Sequence, residues 1–442
     1  MISAAAAAAL VIAGVAWWVW PAPRSPTAGA PVAASAQLAA PRLSIVVLPF
    51  GNLSNDPDQQ YFADGITEDM TTALSRITHM FVISRTTAFT YRNKSHDAKR
   101  IGRELGVRYV LEGSVRRSGD RVRVNAQLID AETDGHIWAE QFDHGVVDLF
   151  ALQNEITGRI AVALDLELTD REAARPTENP DALEYIFRAG ALWSKPEWRD
   201  SFPEIINFYE RALALDPGAV EAQSLLAIAL AVRVLEGKTD SAAADLERAE
   251  RVATQALTAA PRLPAPHQAR ALVLKAQRRC EEAIPESELD RNLWYAYFDL
   301  AQCKLLTGAI EESIPLIEYA IRLSPHDPQN GIRYSWIGRA HLLQSRTDEA
   351  ILWFEKARNF DPRSRFVRAY LASAYALKGE TERAAAELAE ARKLIPDGRF
   401  SSIARLRAVG IWSGGYWGVP KVRALFEATY FAGLRKAGMP EE

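Results

Sequence analysis

"AILWFEKARNFDP", residues 350–362, is followed by "AAAELAEARKLIP", residues 384–396, so that Ala350, Phe354, Ala357 and Pro362 return as Ala384, Leu388, Ala391 and Pro396 at a constant shift of 34 residues. Alanines seven residues apart share one helix face, the larger residue between them plugs a seam, and the proline ends the helix. Tyr375 and Gly379 lie upstream in the second copy, where a partner helix makes a contact and then turns. The same spacing fits Ser313, Ile317, Ala320 and Pro325. It fits Ile205, Tyr209, Ala212 and Pro217 and, less well, Ala249, Ala253, Ala256 and Pro261. Steps of 44 residues (217 to 261) and 37 (325 to 362) mark insertions, one at "GKTDSAAADL" (237–246), and residues 262–291 read as a shortened unit. The pattern predicts about six helix pairs over residues 180–400, stacked as a right-handed solenoid with a concave face.

The rest of the chain is read outward from this array. At 442 residues with 48% hydrophobic and 24% charged side chains, the composition is that of a globular protein of two or three domains. A net charge of -4 without a long basic block argues against broad attraction to nucleic acid. The two cysteines, Cys280 and Cys303, form no CxxC and have no histidine at a ligand-like interval, so no structural zinc site is expected. They read as buried thiols, with a disulfide as the alternative in an oxidising compartment.

The first 20 residues, "MISAAAAAALVIAGVAWWVW", carry no charge and, as a helix, span about the 30 Å of a bilayer core. Trp17, Trp18 and Trp20 gather at one end, as rings do at a headgroup layer. Residues 1–20 are therefore expected to be a transmembrane helix. The alternative is a signal peptide cut near "ASAQ" (34–37), although no Lys or Arg precedes the apolar run. Residues 21–42, rich in Pro, Ala and Ser, read as a disordered linker.

Residues 43–170 predict a small α/β domain. Leu43 to Phe50 is an apolar strand between Pro and Gly. Asp56, Pro57 and Gln59 then suit a helix N-cap, first position and capping box. Phe62, Ile66, Met70, Ala73, Leu74 and Ile77 form that helix's buried stripe, with Asp64 and Glu68 on another face. "MFVIS" (80–84) reads as a strand and "HDAKRIGRELG" (96–106) as a helix stopped by Gly106. Three further strands follow, turned at Ser118-Gly119-Asp120 and Thr133-Asp134-Gly135. In the middle one Val122, Val124, Ala126 and Leu128 face the core, and Arg121, Arg123, Asn125 and Gln127 face water.

The strand, turn and helix at residues 44–70 look like the opening of a nucleotide site. Gly51 is the one glycine between Leu48 and Asp58, no lysine accompanies it, and Asp56 and Asp58 would repel phosphate. Asp56, Asp58 and Asp64 do not keep EF-hand spacing and read as cap and dipole residues. Arg116, Arg117, Arg121 and Arg123 make a basic hairpin read as solvated sheet arginines. HExxH, GxSxG, Walker A and a GxGxxG after a strand are all missing from the sequence. His136 and His144 are the one close histidine pair, where surface roles suffice. No catalytic residue, cofactor or metal site is expected.

"VVLPFGNLSND", "YFADGITEDM", "IGRELGVRYVLEGSVRR" and "VRVNAQLIDAETDGHIWAEQFD" resemble the TolB amino-terminal-like domain that follows a membrane span in some bacterial class III adenylate cyclases and CadC-type regulators. The resemblance covers nearly all of residues 44–143 and implies a periplasmic, non-catalytic accessory or sensory domain. The 34-residue repeat is identified as a tetratricopeptide (TPR) pattern. "GLRKAG" (433–438) in the tail resembles the ending of the same cyclase-linked proteins, so residues 401–442 are expected to cap the array. TPR proteins that bind partners take a peptide or protein against the first helix of each unit. That register points to Gln302, Arg339 and Ser373 as a groove-facing row, with Tyr295 and Phe298 nearby. Arg339, in "SWIGRAHLL" (335–343), suits the carboxylate of an acidic segment, or else pairs with Glu349 or Glu355. The expectation is a single-pass protein of the bacterial inner membrane, its bulk periplasmic, binding protein or peptide partners and no nucleic acid directly. The alternative is the accessory half of a split or truncated class III adenylate cyclase or CadC-like regulator.

Overall fold

The computed structural model describes residues 41–442 except 55, 76, 78–79, 93–96, 165–176, 178, 194, 196, 288–292, 395–397 and 412–414. The expected transmembrane helix over residues 1–20 and the linker up to residue 40 lie outside the described residues. Among the described residues, no helix is long and apolar enough to cross a membrane.

The first domain is a mixed sheet with helices packed against it. β1 (Ser44–Val47) runs parallel to β3 (Phe81–Val82) on one side and to β4 (Tyr109–Ser118) on the other. β4, β5 (Arg121–Asp130) and β6 (Gly135–Gly145) form an antiparallel meander, and β2 (Gly51–Asn52) adds to β4. The expected hairpins form: Gly119 and Asp134 take the left-handed backbone at φ 62° and 65°. Along β5 the valine, alanine and leucine positions are buried and the arginines exposed, as their alternation requires.

Asp56 accepts a hydrogen bond from the Asp58 amide, at 2.9 Å, ahead of α1 (Gln60–Ser75). Gln59 does not close a capping box; its amide reaches the Asp56 carboxylate at 3.3 Å. Asp64 also departs from expectation. It is buried, held by Arg92 at 2.7 Å and Gln60 at 2.8 Å, because α1 is packed on two sides rather than one. The α2 turn (Arg85–Ala88) and α3 (Ala98–Leu105) follow, α3 ending on left-handed Gly106, and α4 (Leu149–Ala163) closes the domain.

The helix pairs then stack. First helices α5 (Pro180–Trp193), α7 (Val220–Leu235), α9 (Pro264–Ala276), α11 (Trp294–Thr307), α13 (Asn330–Leu343) and α15 (Arg365–Lys378) alternate with second helices. The second helices are α6 (Phe202–Leu215), α8 (Ala242–Ala259), α10 (Cys280–Ser287), α12 (Ile310–Leu323), α14 (Thr347–Phe360) and α16 (Thr381–Leu394). Every seam residue of the repeat, from Ile205, Tyr209 and Ala212 to Ala384, Leu388 and Ala391, is buried. The short unit is α9–α10, where Cys280 and Cys303 are not separate thiols. Antiparallel packing of α10 on α11 brings their Cα atoms to 5.0 Å, and they are bonded as a disulfide.

The tail does more than cover the last repeat. After α17 (Ile403–Val409) it turns back, and α18 (Pro420–Phe426), the wide helical turn Glu427–Phe431 and α19 (Ala432–Lys436) pack on α11, α13 and α15. Gly433 lies so close to α15 that a Cβ there would stand 2.2 Å from Ser373 Oγ. Arg407, Glu427, Arg435 and Glu441 tie the tail to itself, and the two arginines hold the Glu441 carboxyl down at about 2.

The sheet domain docks on the solenoid at two separated places. Phe187 and Leu183 of α5 enter its core, with Phe187 against Phe62 and against Gly65, where a Cβ would clash at 2.5 Å. Farther along the array, Leu323 at the end of α12 enters a second core layer behind the sheet. There the Ser84 amide donates to the Leu323 carbonyl at 2.8 Å, Ser84 and Ser324 hydroxyls meet at 2.6 Å, and the His326 amide donates to Thr87 Oγ1 at 3.1 Å.

Candidate functional site

Docked at the first repeat and at the turn after the fourth, the sheet domain bridges the concave side of the array. Between them lies a cavity of about 1590 Å³. α1, β3 and α2 wall it on one side, and the inner stripes of α5, α7, α9 and α11 on the other. On α7 the stripe is Leu225, Ile228, Val232 and Leu235, half-buried apolar residues at helical spacing. On α9 it is Gln268, Leu272 and Lys275, and on α11 Tyr295, Phe298, Asp299 and Gln302.

Much of the charge in this wall is internally committed, while exposed Lys195 and Arg322 also line it. Lys275, 5% exposed, pairs with Asp299 across α9 and α11. Arg85 pairs with Glu68 at 3.1 Å and also donates to the Gly190 carbonyl. Arg199 pairs with Glu236 at 2.8 Å. At the far end Asp327 binds Arg333 at 2.8 Å, both buried, and the guanidinium stacks 3.9 Å from the centroid of Trp294. Burial lowers the Arg333 pKa, an effect its ion pair with Asp327 opposes. Burial likewise raises the Tyr319 phenol, so it lines the cavity uncharged.

The neutral carboxamides are left over. Both amide atoms of Gln268, 2% exposed, and Oε1 of Gln302, 6% exposed, are buried without a hydrogen bond from the protein. An orphaned buried polar atom costs about 1–3 kcal/mol, and these three, with almost no accessible surface of their own, lie within the packed wall rather than open to the cavity.

Of the residues expected in the groove, Tyr295, Phe298 and Gln302 come together in this cavity. Arg339 and Ser373 continue the row along the inner face, but there the tail lies over them. The Arg339 guanidinium sits 4.6 Å from the ring centroids of both Trp336 and Tyr370, and makes no ion pair with Glu349 or Glu355 among the described residues. Ser373 is fully buried and donates to the Tyr430 carbonyl at 2.8 Å. Gln268 escaped the sequence reading although it stands 34 residues before Gln302, in the same register. It falls in the shortened unit, where the alanine and proline signature fades.

Elsewhere the sequence candidates are occupied by structural contacts. Arg117 reaches Glu184 at 3.8 Å and lies over Phe62, so it joins the docking face rather than standing in solvent. Arg123 pairs with Asp143 at 2.8 Å and His144 with Glu155 at 3.1 Å. Among the described residues no three His, Cys, Asp or Glu side chains are grouped to hold a metal ion.

The fold is thus a small mixed-sheet domain fixed onto a TPR-like solenoid. Residues 41–159 match the family model of the HilA/YgeH-like transcriptional regulator, second domain, over the stretch in which the TolB-like resemblance was read. Over 244 residues the chain is 41% identical to "Putative adenylate cyclase 3" of Rhizobium meliloti (strain 1021). That alignment takes in 54% of this chain and 41% of that protein, so the chain spans less than half the length of the relative it matches. Similar solved structures include YrrB, a TPR protein with an unusual peptide-binding site, at 18% identity and a TM-score of 0.33, covering 45% of this chain and 96% of that one. Pseudomonas aeruginosa pilF is similar at 14% identity and a TM-score of 0.39, covering 49% of this chain and 92% of that one.

Proposed function

We propose that this chain is a non-catalytic scaffold that captures a protein or peptide partner in the cavity between its sheet domain and the first four repeats. The observation that carries this reading is the aromatic and aliphatic wall that Leu225, Ile228, Val232, Tyr295 and Phe298 give to the cavity. Tyr295 and Phe298 contact the partner directly, whereas Arg339 and Ser373 reach one only if the tail leaves. Residues 1–20 anchor the protein in the bacterial inner membrane with its bulk in the periplasm. Two features support this placement: the uncharged run ending in tryptophans, and a disulfide of the kind that persists in oxidising compartments.

A second reading is favoured by the adenylate cyclase relative and the regulator-domain match: the chain serves as the accessory part of a larger cyclase or transcriptional regulator. An in-frame cyclase or DNA-binding domain encoded directly upstream would favour it.

The test of partner capture is site-specific photocrosslinking in the producing cell. A photoreactive residue at position 295 is expected to give one discrete polypeptide adduct, while the same residue at Leu352, exposed on α14, gives none. Equal labelling at both positions, or no adduct at 295, would sink the proposal.

A further inference from the structure

The sheet domain and the fourth repeat meet around one cation. Arg322, in the last turn of α12, lies over the Phe81 ring of β3 and the Tyr319 ring of its own helix, 5.6 and 5.7 Å from their centroids. Those rings are braced in turn: Phe81 meets Tyr319 edge-on at 6.2 Å, and Tyr297 of α11 packs on Tyr319 at 4.6 Å. All four residues line the cavity, and Arg322 is exposed there. Burial keeps the Tyr319 phenol protonated, so no phenolate neutralises the guanidinium. An arginine seated through ring contacts keeps its forked N–H donors for an acceptor of its own.

The remaining charges decide what that acceptor is. Every carboxylate in the lining already has a partner. Glu68 pairs with Arg85, Glu236 with Arg199, Asp299 with Lys275 and Asp327 with Arg333, while Asp69 and Glu221 are half-buried and also engaged. Of the lining cations, Arg322 and Lys195 make no ion pair among the described residues. The charge left for a ligand is therefore positive, and it stands at two places: Lys195 follows α5 in the first repeat, and Arg322 ends α12 in the fourth. Three steps between first helices, at about 8–10 Å each, separate them by about 25 Å, or about eight residues of extended chain. One small acid cannot meet both. Between them Leu225, Ile228, Val232 and Phe298 offer apolar surface. Nucleic acid, charged at every residue, would lay phosphates against Glu68, Asp69 and Glu236 as well.

We propose that the cavity binds an extended polypeptide segment with an apolar middle and an acidic side chain toward each end, one carboxylate on Arg322 and the other on Lys195. This rests on the partner-capture reading and names the partner's chemistry. Recognition of the acid moves from Arg339, which the tail covers, to two residues outside the first helices. Because Phe81 belongs to the sheet domain, the Arg322 seat is complete only while that domain is docked.

The test uses the full chain and N-acetylated, C-amidated dodecapeptides with one apolar middle and Glu, Gln or Lys at both ends, plus a Gln-ended member with a free C-terminal carboxylate. The Glu-ended member is expected to bind tightest in titration calorimetry. Arg322→Gln should weaken it about tenfold or more, and Arg322→Lys less, since the charge remains and the fork is lost. With Glu at one end only, Arg322→Gln should weaken one of the two peptides and Lys195→Gln the other. Arg322→Glu should turn the preference at its end from Glu to Lys. Four outcomes overturn the inference: Gln- or Lys-ended members that bind as well, a free carboxylate that outdoes the paired acids, no binding by any member, or an Arg322→Gln protein that binds the Glu-ended member normally. Selection of Gln- or Lys-ended members, abolished by Tyr295→Ala, would overturn it while leaving partner capture intact. Absence of a crosslink at position 295 would instead remove partner capture itself.

Discussion

Arg339 brings its charge into a set of rings. Its guanidinium is sandwiched between Trp336 and Tyr370, Tyr370 stacks on Tyr430 at 4.2 Å, and burial raises both phenols so that they stay neutral. A cation over ring faces is attracted by their negative quadrupole and an anion is repelled. Arg339→Glu is therefore expected to cost about 2 kcal/mol or more, with Arg339→Lys losing less, read from the urea midpoint of unfolding. A charge-reversed protein as stable as the parent would mean that the stack does not hold the tail. The sequence register placed Arg339 on the inner face, and that is where it lies. What covers it could not be read, because Tyr430 lies some ninety residues downstream and nothing local to "SWIGRAHLL" announces it. Ser373 has the same history: its partner carbonyl comes from the same turn, admitted by the missing side chain of Gly433.

At the scale of elements, what was legible was what repeats or alternates. Alanine–aromatic–alanine seams recur because every unit solves the same packing problem, and β5 alternates because one face is dry. The second packed face of α1 was illegible, since Asp64 looks like a surface acid until Arg92 arrives from beyond α2. The disulfide was left open for a related reason: 23 residues separate Cys280 from Cys303, and only the antiparallel return of α11 on α10 joins them. A bridge closing a loop of this length is expected to contribute about 3 kcal/mol, mainly by restricting the unfolded chain. Reduction, or Cys303→Ser, should therefore lower the thermal midpoint, compared with and without reductant in the same buffer. An unchanged midpoint would mean that α10 and α11 hold each other without it. Because Cys303 is adjacent to Gln302, the bridge also fixes α11 where it walls the cavity.

At the scale of the described chain, the sheet domain and the solenoid share their cores. Leu183 and Phe187 belong to the same apolar cluster as β1, β4 and α1, and Leu323 to the cluster on the sheet's other side. Two separated attachments on one array make a closed loop of contacts, so neither part can move without breaking one of them. Such a ring should unfold as one cooperative unit rather than as two. The attachment at α5 is the more easily broken by a single residue, since any side chain at Gly65 must displace the Phe187 ring. Gly65→Val is expected to loosen that contact while leaving the seams of the repeats untouched. Calorimetry should then resolve one transition for the parent and two for the variant, the lower belonging to the sheet domain. Adding Ser324→Ala, which removes the Ser84 contact at the other attachment, should separate the two transitions further. If the parent already melts in two steps, the ring does not couple its parts, and the cavity is a groove with a loose cover rather than a chamber with a fixed one. The distinction bears on binding: a fixed cover preorganises the aromatic rings of the wall, whereas a loose one makes every ligand bear the ordering entropy.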